Sequence, residues 1–188
     1  KPDSGDVYLQ GQKITGLAPH KICRMGIART FQLIKTFLKM TVLENVMVGS
    51  VYGQKRQGKG AQKRALEALE LVELSEKKDI MAAHITLSDR RLLEVAMALA
   101  SMPVVTLLDE PMAGLNQFEI QKILQVIKRA RDERGISVLW IEHKVDAVLD
   151  FCDRVAVLDY GLKIADGRPE EVANNPKVIE AYLGESPA

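Results

Sequence analysis

The sequence predicts an α/β protein: a parallel, doubly wound sheet with a subsidiary helical lobe. Three observations carry that expectation. The runs VVTLL at 104–108 and ISVLWIE from residue 136 are unbroken stretches of β-branched residues and leucine, the pattern of strands covered on both faces. Between them QFEIQKILQVIKRARDERG places Ile120, Ile123, Ile127 and Ala130 on one helical stripe that stops at Gly135. From about residue 41 to residue 100 the pattern is helical throughout. Short apolar strands alternating with amphipathic helices argue for parallel pairing, and reactive groups in such sheets sit beyond the carboxyl ends of the strands.

The remaining elements follow in order. DVYLQGQKITG alternates apolar and polar residues around Gly11, a short hairpin, and IARTFQ is a short strand ending in a polar residue. VLENVMVGSVY, ALEALELVEL and LLEVAMALA are the helices of the lobe, with the polar connection QKRQGKGAQKR at 54–64 between the first two. After ISVLWIE, KVDAVLDFC reads as a helix and RVAVLDYGLKIADG as a strand with a hairpin return. PEEVANN and PKVIEAYLGE form a short helical tail on the surface. These pieces divide the chain into a core portion at 1–40, a helical lobe at 41–100, a second core portion at 101–168 and a tail at 169–188.

Composition narrows the function. With 188 residues the chain can build one sizeable core with a subsidiary lobe, and a net charge of +1 gives it no general attraction to nucleic acid or to an anionic membrane. Its only basic run, at 54–64, has no interleaved aromatics to stack on bases. Cys23 and Cys152 lie far apart and match no metal-ligand spacing, as expected of free thiols in a reducing compartment. No apolar run is long enough to span a bilayer and no signal peptide opens the sequence, which favours a cytosolic location.

Residues 53–60, GQKRQGKG, come within one residue of the phosphate-loop pattern G-x-x-x-x-G-K-[ST]. Gly60 stands where the magnesium-binding hydroxyl belongs, and the segment does not join a buried strand to a helix, so a solvated basic loop is the expected reading. Two strand ends are more informative. VVTLL runs into Asp109-Glu110, and SVLWI runs into Glu142-His143. Acids at the carboxyl end of a buried strand are costly unless they serve a cation or a reaction. Four apolar residues followed by Asp-Glu is the pattern of a nucleotide-hydrolysing site, the aspartate holding magnesium and the glutamate polarising the attacking water. His143, taken alone, reads as a surface or capping histidine.

The succession of pieces is more specific than any one of them. A glutamine after a short strand, a helical lobe, HITLSDRRLLEVAMALA opening a helix, VVTLLDE, AGLN and then WIEH resembles the ATP-binding subunit of ABC transporters over essentially the whole chain. GIARTFQ, MTVLENVMVG, LLDEPMAGLN, IEHKVDAV and VIEAYLGE are closest to the branched-chain amino acid importer branch. The resemblance implies a RecA-like P-loop NTPase core with a helical subdomain, an ATPase that uses ATP and Mg2+, and a phosphate loop upstream of Lys1.

It also implies roles. Gln32 would touch magnesium and the attacking water. Asp109 would hold the metal, Glu110 would be the catalytic base and His143 would bond the γ-phosphate. Ala113, Gly114, Leu115 and Asn116 would form the D-loop that crosses to a second subunit. Ile85, Thr86, Leu87, Ser88 and Asp89 fall at the signature segment, whose amides face the nucleotide of that second subunit, with Leu87 and Ser88 where many relatives have glycines. All of these segments would end at one edge of the sheet.

The partners implied are a second ATP-binding subunit, identical or not, transmembrane permease subunits, and indirectly a substrate-binding protein; the apolar Phe37, Leu38 and Met40 belong either to the permease-docking surface or to the core. The subunit would sit on the inner face of the cell membrane and bind no nucleic acid. Two other readings stay open at this level: a nucleotide-free scaffold, and the ATPase of a different transporter, such as urea import or lipopolysaccharide export.

Overall fold

The computed structural model describes residues 2–53 and 60–183. These fall into two compact units, Lys1–Ile141 and Glu142–Ala188.

The first unit opens with the expected hairpin. β1 (Tyr8–Leu9) pairs antiparallel with β2 (Gln12–Lys13), and Gly11 takes the positive φ of 77° that the turn requires. A short helix, α1 (Pro19–Arg24), has proline in its first turn and leads through Gly26 into β3 (Ile27–Arg29). The helical lobe comes next. α2 (Val42–Tyr52) starts with a capping box in which the Thr41 hydroxyl accepts from the Glu44 amide and the Glu44 carboxylate accepts from the Thr41 amide.

α3 (Ala61–Leu71) buries Ala61, Ala65, Ala68, Leu69 and Leu71. Residues 61–64, expected to belong to the polar connection, are therefore its first turn. The helix-forming sequence AQKRALEALEL extends the apolar stripe back to Ala61, Ser50 Oγ donates to the Ala61 carbonyl, and Arg64 donates to the Ser50 carbonyl. The rest of that connection and of the phosphate-loop-like stretch, 54–59, lies outside the described residues.

Two 3-10 turns, Ser75–Lys77 and Ala82–His84, lead to α4 (Leu87–Ala100), capped by Thr86. α2, α3 and α4 pack on one another around Val42, Val46, Leu69, Leu92, Leu93 and Leu99, all nearly or fully buried. The α2–α4 contact is backbone to backbone. A Cβ on Gly49 would overlap the Met97 carbonyl, and one on Gly53 would lie 2.6 Å from Ser101 Cα.

β4 (Val105–Asp109) and β5 (Ser137–Ile141) complete a three-stranded parallel sheet in the order β3-β4-β5, with α5 (Gln117–Arg134) as the crossover. Asn116 caps α5 at its start, and Gly135, in the left-handed region, ends it as expected. Both β4 and β5 were expected to be covered on two faces, and the structure corrects this. In β4 the side chains of Thr106 and Leu108 are buried while Val105 and Leu107 are half-buried. In β5, Leu139 and Ile141 are more than 60% exposed. α4 packs on β3 and α5 on one side. The apolar runs encode a second covered face, but among the described residues helices cover only one.

The second unit holds α6 (Val145–Phe151), the antiparallel hairpin β6 (Val155–Asp159) and β7 (Leu162–Gly167), α7 (Pro169–Ala173), and α8 (Pro176–Val178), which runs on into one π-helical turn at Ile179–Leu183. Its core is Val155, Val172 and Val178 with Val148, Leu149, Cys152 and Ile164 around them. On its surface Asp166 accepts from Arg154 and Lys163, each at 2.7 Å, and these bonds hold its carboxyl from the ordinary 3.8 down to about 2.

Two outcomes follow from these contacts. Gly49→Ala should destabilise the protein by about 1–3 kcal/mol despite its better helix propensity, because the added methyl meets backbone, which cannot rotate away. Urea titration of both proteins measures this. The ion triad has its folded value below the unfolded one, so its contribution is complete above about pH 4 and vanishes as pH falls through about 2. The stability difference between wild type and Arg154→Ala, followed by acid titration of thermal melts, should shrink over that window.

Candidate active site

The parallel register decides what meets at the sheet edge. Arg29 lies opposite Leu107 in the β3–β4 pair, and Asp109 lies opposite Ile141 in the β4–β5 pair. The chain leaving β3 and the chain leaving β4 therefore emerge side by side. There Gln32 Nε2 donates to Glu110 Oε2 at 3.1 Å, and Arg29 donates to Asp109 Oδ2 at 2.9 Å. The Asp109 amide donates to the Thr30 hydroxyl at 3.3 Å, and the Glu110 amide donates to the Ile141 carbonyl at 3.0 Å. The three residues that the sequence singled out beyond these strands, Gln32, Asp109 and Glu110, are thus brought together.

Glu110 is held in a conformation that side chains rarely adopt. Its φ is 44°, in the left-handed region, where a non-glycine residue costs of order 1–3 kcal/mol. The strain turns the chain sharply at the end of β4. The Ala113 amide donates back to the Glu110 carbonyl, and Met112 is fully buried beneath the turn. The Glu110 carboxylate is left facing the Gln32 amide.

A second group forms around the start of α4. Thr86 is its cap, accepting from the Asp89 amide at 3.1 Å, and Leu87 is the first helical residue. Leu87 Cδ2 lies 3.4 Å from where a Cβ on Gly114 would be, so the start of α4 and the turn at Gly114 adjoin within one chain. Gly114 has φ 78°, which lets the chain turn tightly into the Asn116 cap of α5. Leu87 is about half exposed, whereas Ser88 and Asp89 are buried. The Asp89 carboxylate bonds Lys77 Nζ at 2.6 Å. Burial alone would raise its pKa, but the hydrogen bonds from Lys77 and Thr86 and the nearby ammonium outweigh that and hold it below the ordinary value. His143 belongs to the second unit, where its amide donates to the Glu142 carboxylate at 3.2 Å.

Several residues of this region escaped the sequence reading. Arg29 and Thr30 line the Asp109 carboxylate and amide, and the Arg29 guanidinium also lies 5.1 Å from the Phe31 ring centre, with Lys35 at 5.2 Å. Arg91 and Glu94 reach from α4 to the backbone around Gln32. Their signal was present as two opposite charges three residues apart inside the apolar face of a helix.

The comparisons with known proteins agree with this geometry. A family model described as ABC transporter matches residues 1–113. The chain belongs to the ABC transporter family. A second model, the branched-chain amino acid ATP-binding cassette transporter, matches residues 163–188 of this ABC chain. It is 36% identical over 201 residues to the high-affinity branched-chain amino acid transport ATP-binding protein LivG of Escherichia coli, covering 99% of this chain and 78% of that one. To BraF of Pseudomonas aeruginosa, a protein of the same description, it is 36% identical over 200 residues with the same coverage.

Among solved structures, an ATP-binding cassette of an ABC transporter in its ADP conformation matches with TM-score 0.82 and 31% identity, over 97% of this chain and 78% of that one. A dimeric cassette in a post-hydrolysis state bound to ADP and Pi matches with TM-score 0.78 and 26% identity, over 90% and 75%. The RecA-like ABC ATPase fold is therefore that of this chain.

Proposed function

We propose that this chain is the ATP-binding and ATP-hydrolysing subunit of an ABC importer for branched-chain amino acids. The observation that carries the reading is the Gln32–Glu110 contact beside Asp109, at the carboxyl ends of adjacent parallel strands. Likeness to LivG and BraF supports the cargo.

In this reading Glu110 is the general base. Its carboxylate, held by the Gln32 amide at 3.1 Å, takes a proton from a water bound beside the pair. That water's oxygen bonds the γ-phosphorus as the bond to the bridging oxygen breaks, giving ADP and phosphate. The left-handed turn at Glu110 fixes the carboxylate before substrate arrives, so little reorganisation accompanies the step. Asp109 and the amide oxygen of Gln32 would hold magnesium. They are oxygen donors suited to a hard cation that takes few protein ligands, and the ion would supply charge neutralisation at the phosphates. Arg29 pairs with Asp109 Oδ2 at 2.9 Å and so restrains the carboxylate that would bind the ion. For His143 a hydrogen bond to the γ-phosphate is proposed on likeness to the family alone.

The partners follow from the same reading. The start of α4, with Thr86, Leu87, Ser88 and Asp89, adjoins Ala113, Gly114, Leu115 and Asn116, so one chain offers signature and D-loop together to the nucleotide of a second ATP-binding subunit. Helix-start amides at Leu87 and Ser88 are suited to a phosphate. Likeness to a dimeric cassette supports this pairing. Phe37 and Leu38 are exposed apolar side chains and, with the half-buried Met40, form the docking surface for the permease subunits. Among the described residues no helix is long and apolar enough to cross a membrane, which suits a subunit held peripherally on the inner membrane face through those partners.

Glu110→Gln in the assembled transporter should lower ATP turnover at least about a hundredfold while nucleotide binding changes little. Steady-state hydrolysis and equilibrium binding of a fluorescent ATP analogue measure the two separately. Turnover unchanged in this variant removes Glu110 from the role of base.

A further inference from the structure

Core packing does not explain the residue at position 29. β3 alternates, with Ala28 buried and Ile27 and Arg29 on the opposite face, which in the β3–β4 register is the face that carries Val105, Leu107 and Asp109. Ile27, Val105 and Leu107 are half-buried there, so an apolar side chain at 29 would suit its neighbours. Arg29 instead reaches along the strand direction, and its Nη2 donates to Asp109 Oδ2 at 2.9 Å. Its guanidinium carbon also lies 5.1 Å from the centre of the exposed Phe31 ring, with the Lys35 ammonium 5.2 Å from the same centre. One guanidinium therefore has two adjoining seats, a carboxylate and an aromatic ring.

The carboxylate seat is one that the guanidinium can leave. The Arg29 side chain is 55% exposed and that of Asp109 25%, and a pair this well solvated exchanges readily. The strand ends do not depend on it, because the Thr30 amide donates to the Leu107 carbonyl and the Asp109 amide to the Thr30 hydroxyl. Asp109 and Glu110 put two carboxylates at neighbouring positions, and the side chain bonded to Glu110 is the neutral amide of Gln32. A divalent cation at Asp109 and the guanidinium on the same carboxylate would repel each other at close range.

We propose that Arg29 is a positioning residue that serves as the resident counter-cation of Asp109: it holds the carboxylate while no metal is bound and gives way to the divalent cation, withdrawing onto Phe31. This rests on the reading of Asp109 as the residue that holds magnesium. A cation arriving alone must unseat Arg29 for a single carboxylate, so it binds weakly. A cation arriving with ATP brings phosphate oxygens as further ligands, and their charge attracts the released guanidinium and Lys35. Arg29 thereby favours joint entry of metal and nucleotide over entry of metal alone.

The test is binding of Mn2+, a cation that suits the same oxygen donors, to the assembled transporter without nucleotide, followed by water-proton relaxation. The site in question is the binding that Asp109→Asn removes. Arg29→Met, which keeps an apolar stem and loses the charge, should lower the dissociation constant at that site about tenfold. Arg29→Gln, a second neutral variant, should act in the same direction, whereas Arg29→Lys, still a cation, should stay within about threefold of wild type. In the Asp109→Asn background the Arg29 substitutions should have no effect, since both act through one carboxylate.

Mn2+ binding that is unchanged or weaker in both neutral variants would overturn the proposal while leaving Asp109 as the metal holder. Mn2+ binding unaffected by Asp109→Asn in both the wild-type and the Arg29→Met backgrounds would instead overturn the role given to Asp109, and the counter-cation role with it.

Discussion

The active region depends first on parallel strand pairing. Because β3, β4 and β5 run the same way, their carboxyl ends share one edge, and the residues that follow each strand are delivered there without any long connection having to find its way back. The register then does the fine placement. Arg29 opposite Leu107 sits within reach of Asp109, two residues farther along β4, and Thr30 comes close enough to take the Asp109 amide. A shift of one residue would send Arg29 to the other face and leave the Asp109 carboxylate without its guanidinium. The same ladder carries the strain at Glu110, whose amide is tied to the Ile141 carbonyl while its φ is forced positive.

Much of this was legible in the sequence because it is local. The β1–β2 hairpin, the stripe of α5 and its glycine stop, and the Asp-Glu pair ending β4 are each written within a few residues, and the structure places them as expected. The misreadings share another cause. An apolar run states that a strand can be covered on both faces, but what covers it is a matter of distant sequence, so Leu139 and Ile141 looked buried and are exposed. The start of α3 was misread because Gln62, Lys63 and Arg64 dominate the eye, although Ala61 and Ala65 already carry the buried stripe. Arg29, Lys77, Arg91 and Glu94 act on residues between 12 and 80 positions away, a pairing that only the fold establishes.

Charge is used differently at the two faces of the helical lobe. Outside, pairs such as Lys122 and Arg129 with Glu73 are solvated and contribute little to stability. Inside, Asp89 is nearly enclosed and pairs with Lys77 at 2.6 Å, so the acidic residue in the first turn of α4 is balanced by an ammonium.

The glycines at 49 and 53 give the lobe a mechanical character. Where helices meet through long side chains, rotamer changes absorb small displacements and the two can shift independently. At Gly49 and Gly53 the chain of α2 meets α4 through bare backbone at Met97 and Ser101, and at those two points there is no such cushion. Push either helix and the other travels with it, undamped, as a crank with no play in its joint. Force applied at the exposed aromatic and leucine beside Asn45 thus reaches the far end of α4 as motion and not as local softening.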